Sequence, residues 1–126
     1  MMLPTELVEL ARAGSLTLFV GPDVGPETLE RAASYRVLLH GEPLPEREHL
    51  RSWLLRGGAL FVGYRADEVA FAERFDALTE AWGGRLPKAW VASMPGRIPD
   101  VVWQKWVWRG LWLFTATSDE VLDGLE

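Results

Sequence analysis

The chain has no cysteine and only two histidines, His40 and His49, among its 126 residues. Disulfides, thiol catalysis and cysteine-based metal sites are therefore excluded. The two histidines do not have a metal-binding spacing such as His-x₃-His, so we predict no metal site. Asparagine is missing altogether, and Gln104 is the single glutamine. A shortage of these heat-labile residues is typical of thermophilic proteins, although genomic base composition explains the excess of arginine over lysine equally well.

Long apolar runs and an excess of positive charge are also missing. No run approaches the about 18 residues that a membrane-spanning helix needs, and the amino-terminal segment lacks the basic region and apolar core of a signal peptide. The net charge of −5 argues against non-specific binding to nucleic acid or to an anionic membrane surface. We therefore expect a soluble cytoplasmic protein with no nucleic-acid or membrane partner.

What the chain does contain is an alternation of short apolar strands and helices over the length of a single domain. The predicted strands are residues 16–20, 35–39, 59–63, 89–92 and 111–114. The predicted helices are residues 6–13, 26–34, 47–56, 66–82, 100–108 and 119–125, with Thr5 capping the first and a capping box of Thr117 and Glu120 opening the last. This pattern predicts a three-layer, Rossmann-like α/β domain of about five parallel strands with helices on both faces.

A turn bounded by Gly21 and Gly25 joins the first strand to a helix that starts at Pro26. Nucleotide-binding α/β domains place a phosphate at such a turn, where free N–H groups of the helix face the anion. Here Asp23 puts a negative charge in the middle of the turn. The sequence predicts either an anion site or a tight turn in which Asp23 caps the helix in place of a phosphate, with a dipole contribution of about 0.3–1 kcal/mol.

Four segments resemble those of a known family, in the family's order. They are residues 7–25, the Val-Leu-Leu-His-Gly of 37–41, the Leu-Phe-Val-Gly-Tyr of 60–64 with Glu68 and Phe71, and the closing segment with Trp106, Arg109-Gly110 and 120–125. Together they resemble the SIR2-like family, the NAD-binding domain of sirtuins and of bacterial SIR2-like NAD hydrolases. The resemblance implies NAD or ADP-ribose as the ligand and His40 as the catalytic base. It implies that the residues around the cofactor are Gly21, Asp23, Gly25, Gly63 and Arg65.

The chain departs from the family pattern at several of these positions. Asp23 stands where the family has its second turn glycine, Gly25 stands where it has a serine, and Arg65 replaces the serine after the Gly-Tyr pair. Only about ten residues separate Gly25 from the second strand, where the family carries a long insertion with a Thr-x-Asn-x-Asp strand. We therefore predict that residues 1–126 form a single minimal SIR2-like domain without the family's small or cap subdomain.

Two side chains have chemistry that suits a ligand site. Arg65 follows the third strand at its carboxyl end, where it would clamp a phosphate or carboxylate or else pair with Asp67, Glu68 or Asp23. His40 is suited to take a proton from a ribose hydroxyl, or is a strand-end histidine that bonds to a loop. His49 is expected to face solvent on its helix.

Tryptophan is unusually frequent, with seven residues, of which Trp103, Trp106, Trp108 and Trp112 fall within ten positions. Trp103 and Trp106 share one helix face, and Trp108 points away from it. One face is predicted to be core and the other a candidate interface, with a bulky core as the alternative. We predict a homodimer or a protein partner through the Trp103–Trp112 region.

These observations favour a reduced, catalytically inactive SIR2-like domain that acts by binding to itself, to a protein partner or weakly to a nucleotide. The rival hypothesis is a NAD-consuming enzyme, hydrolysing NAD or transferring ADP-ribose, whose site is completed by another chain. A flavodoxin-like or receiver-like domain is the third interpretation. It ranks last because the chain lacks the acidic pair after the first strand and the strand-end Asp and Lys of a receiver.

Overall fold

The computed structural model describes residues 2–126. Its strands are β1 (Thr17–Val20), β2 (Arg36–Leu39), β3 (Ala59–Tyr64), β4 (Ala89–Ser93) and β5 (Leu111–Thr115). Its helices are α1 (Thr5–Arg12), α2 (Pro26–Ala32), α3 (Arg47–Gly57), α4 (Val69–Trp82), α5 (Asp100–Trp108) and α6 (Ser118–Leu125). The strands form one sheet in which every neighbouring pair is parallel.

Helices cover both faces of this sheet, which confirms the predicted three-layer α/β architecture. On one face, side chains of α3, α4 and α5 such as Leu54, Phe75 and Trp106 form a buried cluster with the sheet. On the other face, side chains of α1, α2 and α6 form a second cluster, which includes Leu7 and Val121. All six residues of β3 are buried, because this central strand packs against both layers. No helix within residues 2–126 is long and apolar enough to cross a membrane.

The strands lie in the order β2-β1-β3-β4-β5. This is the order of flavodoxin-like doubly wound sheets, and it is also the dinucleotide-binding order 3-2-1-4-5-6 without its outermost strand. The chain moves to one side from β1 to β2 and to the other side from β3 to β5. The point where the direction changes lies between β1 and β3, and in open α/β sheets ligands bind at the carboxyl ends of the strands at such a point.

The structure corrects the predicted starts of α1 and α4 and confirms the predicted capping box of α6. Pro4, not Thr5, is the N-cap of α1, and Thr5 is already helical. Helix α4 begins at Val69 rather than at residue 66, because residues 65–68 form a turn in which the backbone N–H of Arg65 donates to the Glu68 carboxylate at 2.7 Å. The capping box of α6 is present as predicted, with Thr117 and Glu120 each bonding the other's backbone.

Candidate functional site

The carboxyl ends of β1, β2 and β3 bring several predicted site residues to one edge of the sheet. Gly21 follows β1, and its N–H donates to Val62 of β3 at 2.9 Å. His40 follows β2, and its backbone N–H donates to Val20 of β1 at 2.8 Å. Gly63 lies near the end of β3. These contacts place the three residues around the point where a doubly wound sheet binds its ligands.

Gly21 and Gly63 lie so close together that neither has space for a side chain. A Cβ atom on Gly21 would collide with the Gly63 carbonyl, and a Cβ atom on Gly63 would collide with Cγ2 of Val24. Gly63 also has a φ of +76°, a conformation that favours glycine. The turn is therefore packed directly against β3.

Asp23 does not cap α2, contrary to one of the two predictions for this turn. The N-cap is Gly25, which has no side chain, and no side-chain hydrogen bond is made there. Asp23 is exposed, and Glu27 lies in the first turn of the helix. A phosphate that approached α2 would meet both carboxylates, which repel it.

The imidazole of His40 is held by the phenol of Tyr64, the last residue of β3. His40 Nδ1 lies 2.9 Å from Tyr64 Oη, and the two rings meet edge to face with centroids 5.7 Å apart. The sequence predicted a hydrogen bond from His40 to a loop, so its partner on a strand is a correction. His49, in contrast, is exposed on α3 as expected. No group of three or more acidic, His or Cys side chains in residues 2–126 could hold a metal ion.

Tyr64 reaches His40 across the end of β1, which lies between β2 and β3. Gly21 stands at the end of β1, directly below this crossing, and a Cβ there would be in ordinary contact with the Tyr64 ring at 3.4 Å. The Tyr64 side chain is buried, and burial raises the pKa of its hydroxyl to about 12. The phenol is therefore neutral at physiological pH and remains a hydrogen-bonding partner for His40.

Arg74 of α4 is a buried cation beside this pair. Its guanidinium donates to Leu39 O at 3.1 Å and to Glu42 O at 2.9 Å, and it lies over the Phe19 ring at 5.8 Å. No Asp or Glu in residues 2–126 forms an ion pair with it, and its Nε makes no hydrogen bond there. Arg74 thus ties the loop after β2 to α4 through backbone carbonyls.

The sequence analysis missed Arg74, although a signal was present. Arg74 falls three residues after Phe71 and four before Leu78, on the stripe that α4 buries against the sheet. A charged residue inside an apolar helical stripe requires a buried hydrogen-bonding partner. That rule would have singled out Arg74, but the spacing could not have named its two carbonyl partners.

The Arg65 guanidinium makes four hydrogen bonds within the chain. Its Nε and Nη2 donate to both carboxylate oxygens of Asp67, at 3.1 and 3.2 Å. Nη1 and Nη2 also donate to the carbonyls of Pro95 and Arg97, at 3.3 and 3.2 Å. The bond to Arg65 lowers the pKa of Asp67. Of the two roles predicted for Arg65, the structure shows pairing with Asp67.

The tryptophans of α5 divide as the spacing predicted. Trp106 is buried and donates its indole N–H to Ala66 O at 2.7 Å. Trp103 is half-buried on the same side, whereas Trp108 is 83% exposed. Trp112 of β5 is also exposed, by 70%. We call the surface formed by strand β5 with Trp103, Val107 and Trp112 the β5 surface.

The outer edge of β5 has unpaired backbone groups. In residues 2–126, β5 pairs with β4 alone. Ala116, which follows β5, donates its N–H to Ser93 of β4 at 2.9 Å. Because alternate residues of a parallel strand face opposite sides, the N–H and C=O groups of Leu111, Leu113 and Thr115 point away from β4. The strand offers these groups without any charged residue or proline.

The other outer strand, β2, is protected at its carboxyl end. The same alternation directs the backbone of Leu39 away from β1. Its N–H donates to the Glu42 carboxylate at 3.3 Å, and its C=O accepts from Arg74. Arg36, at the start of β2, adds a charge and lies over Trp53 at 4.4 Å. Side-chain caps and charged residues are the usual means of preventing a strand from pairing with another chain, so the two edges of this sheet differ in kind.

A groove of about 480 Å³ runs along the β5 surface between α5 and the strand. Trp103 and Val107 form one wall, and Leu111 and Leu113 form the other. Arg85 lies at the end of the groove near the start of β5 and makes no ion pair within residues 2–126. The groove is therefore apolar along its length, with a free cation at one end.

Two structural regions thus stand out: the His40–Tyr64 pair at the carboxyl edge of the sheet, and the uncapped β5 surface at its side.

Comparison of the chain with protein-family models, with curated proteins and with solved structures found no match in any of the three searches.

Proposed function

We propose that this protein is a non-catalytic binding domain that takes up a further strand at the edge of β5. The observation that carries the proposal is the contrast between the two outer strands. Leu39 of β2 has its backbone groups capped by Glu42 and Arg74, whereas Leu113 and Thr115 of β5 have theirs free. A five-residue uncharged edge flanked by exposed aromatic side chains is suited to strand addition by another polypeptide.

The side chains around this edge support the same function. Trp112 is 70% exposed, and at about 200–250 Å² for a tryptophan this amounts to roughly 160 Å² of aromatic surface on the edge strand itself. A specific protein interface buries about 800 Å² on each partner. Trp112 alone therefore supplies about a fifth of that area, and tryptophan is enriched among the residues that contribute most to binding.

We further propose that the domain is a reduced member of the SIR2-like family. The support is the order of the four quoted segments along the chain and a strand order equal to that of a dinucleotide-binding sheet without its outermost strand. The closed contact between Gly21 and Gly63, together with the carboxylate of Asp23, favours a domain that has kept this framework and does not use NAD.

The strand-addition function is tested by amide hydrogen exchange with a soluble peptide that alternates Val and Lys, at a protein concentration at which sedimentation shows the protein to be monomeric. We expect the peptide to slow exchange at the amides of Leu113 and Thr115, and Val37 on the β2 edge serves as the control. Trp112→Lys should abolish the effect, whereas Val69→Lys, at an equally exposed apolar position of α4, should not. Protection at Val37, or no protection on either edge, would contradict the proposal.

The alternative function is NAD hydrolysis or ADP-ribose transfer in a site that another chain completes. It is favoured by His40, whose Nδ1 is engaged by Tyr64 while its ring remains exposed at the carboxyl edge, so that Nε2 is available to accept a proton. Nicotinamide release from NAD that is lost in His40→Ala would establish this alternative. The binding function predicts no release from the purified protein. It also predicts no change in melting temperature with NAD or ADP-ribose.

A further inference from the structure

We infer that the strand taken up by β5 is the β5 strand of a second copy, running antiparallel and centred on Leu113. This inference rests on the proposed function, because it names the partner of the same surface. A two-fold axis perpendicular to the sheet would join the two five-stranded sheets into one continuous sheet. Such an interface is closed and self-complementary, which is the commonest arrangement of soluble homodimers.

The direction of the backbone groups determines which registers are available. The N–H and C=O groups of Leu111, Leu113 and Thr115 point outward, whereas those of Trp112 and Phe114 point to β4. A two-fold pairing can be centred on an outward residue at a hydrogen-bonded position or on an inward residue at a non-hydrogen-bonded position. Centring on Leu113 makes Leu113 pair with itself and Leu111 pair with Thr115 of the other copy. All outward groups of both strands are then satisfied, and no other centre pairs the whole strand.

This register also brings aromatic side chains together. Trp112 and Phe114 point to the face of the sheet that carries α1 and α6, and Phe114 packs there against the buried cluster. Centring on Leu113 places Trp112 of each copy directly opposite Phe114 of the other, at a non-hydrogen-bonded position where side chains are closest. The exposed indole of Trp112 thereby gains an aromatic neighbour, which accounts for a 70% exposed tryptophan in the middle of a strand.

Two charges at opposite ends of the layer formed by α5 and β5 favour the antiparallel direction. Arg85 lies near the start of β5, and Asp100 begins α5 at the opposite end of the layer. Neither residue forms an ion pair within residues 2–126. Antiparallel pairing brings each Arg85 to the end of the partner that carries Asp100. Parallel pairing would place the two Arg85 side chains at the same end.

A disulfide across the two-fold axis tests the register, because the native chain contains no cysteine. In a hydrogen-bonded antiparallel pair the two Cα atoms are about 5.5 Å apart, within the range that a disulfide spans. We expect Leu113→Cys to form a disulfide-linked dimer on mild oxidation, and Val69→Cys to remain largely uncrosslinked. A dimer whose Leu113→Cys variant does not crosslink would overturn the register.

Sedimentation velocity tests whether a second copy of the chain binds at β5. We expect wild-type protein to reach twice its 14.2 kDa mass as concentration rises, with Val69→Lys unchanged and Trp112→Lys at least about tenfold weaker in dimerisation. Mixing Trp112→Lys with Phe114→Glu should restore dimers, since the register sets the new Lys against the new Glu. Circular dichroism identifies a variant that fails to fold. The disulfide experiment with Leu113→Cys does not depend on Trp112→Lys or Phe114→Glu.

The outcomes separate this inference from the proposed function. A wild-type protein that stays monomeric while the Val-Lys peptide still protects Leu113 and Thr115 would overturn the second copy and leave the strand-addition function intact. A wild-type dimer that Trp112→Lys does not weaken would overturn the inference of a second copy at β5. If the peptide also gives no protection at Leu113 and Thr115, the proposed function is overturned too.

Discussion

Tyr64 Oη lies 2.9 Å from His40 Nδ1, so the phenol of β3 holds the imidazole that follows β2 across the intervening end of β1. The contact joins two strands that do not themselves pair. Gly21, at the end of β1, has no space for a side chain because a Cβ atom would collide with the carbonyl of Gly63. A glycine that the sequence associates with a cofactor therefore has a structural reason to be there.

The ionisation of Tyr64 should make stability depend on pH in the alkaline range. Burial raises its pKa from 10 to about 12 in the folded state, so the folded protein keeps a proton that the unfolded chain loses. The contribution is complete below pH 10 and is lost as the pH rises towards 12. Urea denaturation at a series of pH values measures this loss. Tyr64→Phe should remove the part of the pH dependence of the unfolding free energy that is due to this residue. The part due to Tyr35 should remain, because burial raises the pKa of that tyrosine as well.

Arg74 should contribute strongly to stability although it forms no salt bridge. Arg74→Ala removes the bonds to Leu39 O and Glu42 O and leaves a cavity, so we expect the free energy of unfolding to fall by about 2–4 kcal/mol. Arg74→Met restores most of the volume without the bonds and should recover only part of this loss. Arg12→Ala, at an exposed position of α1, is the control and should cost less than about 0.5 kcal/mol. Equal stability of Arg74→Met and wild type would contradict the role assigned to the two bonds.

Arg65 should hold the loop between β4 and α5 in place. Without the bonds to Pro95 O and Arg97 O, the loop loses its attachment to the turn after β3. We expect Arg65→Ala to increase the rate of trypsin cleavage after Arg97 several-fold under native conditions. Arg65→Lys should not restore protection, because an ammonium cannot reproduce the planar set of donors. An unchanged cleavage rate would show that the loop is held by other contacts.

Gly63 and Val24 should show strong coupling. Gly63→Ala forces an alanine into a φ of +76° and into contact with Cγ2 of Val24, and we expect a loss of about 2–4 kcal/mol. Val24→Ala in the same protein should recover the steric part, so the two substitutions would be non-additive in a double-mutant cycle. Gly25→Ser provides the contrast, because Gly25 is an open N-cap position at which serine is favourable. If the effects of Gly63→Ala and Val24→Ala are additive, the contact between the two residues does not hold the turn against β3.

The sequence predicted the architecture because its signals are local. Alternating apolar strands and helices required only the pattern of residues 16–114, and the buried character of β3 followed from an uninterrupted apolar run. Helical periodicity likewise predicted that Trp106 and Trp108 point in different directions, and Trp106 is buried whereas Trp108 is exposed. Helix starts were less accurate, because a cap depends on backbone geometry. The turn over residues 65–68 and the N-cap at Pro4 could not be distinguished from helix by composition.

The sequence by itself determined the class of fold, the absence of thiol chemistry and the candidate residues of the first turn, because composition and periodicity act over a few neighbouring positions. Only the tertiary structure decided what those candidates contact. In the folded chain, His40 contacts Tyr64, and Arg65 donates to Asp67 and to the loop after β4. Arg74 donates to Leu39 O at the edge of β2. The tertiary structure also left the edge of β5 open, since strand order depends on long-range pairing that no local pattern encodes. The physical difference between the two edges therefore lies in contacts between residues far apart in the chain.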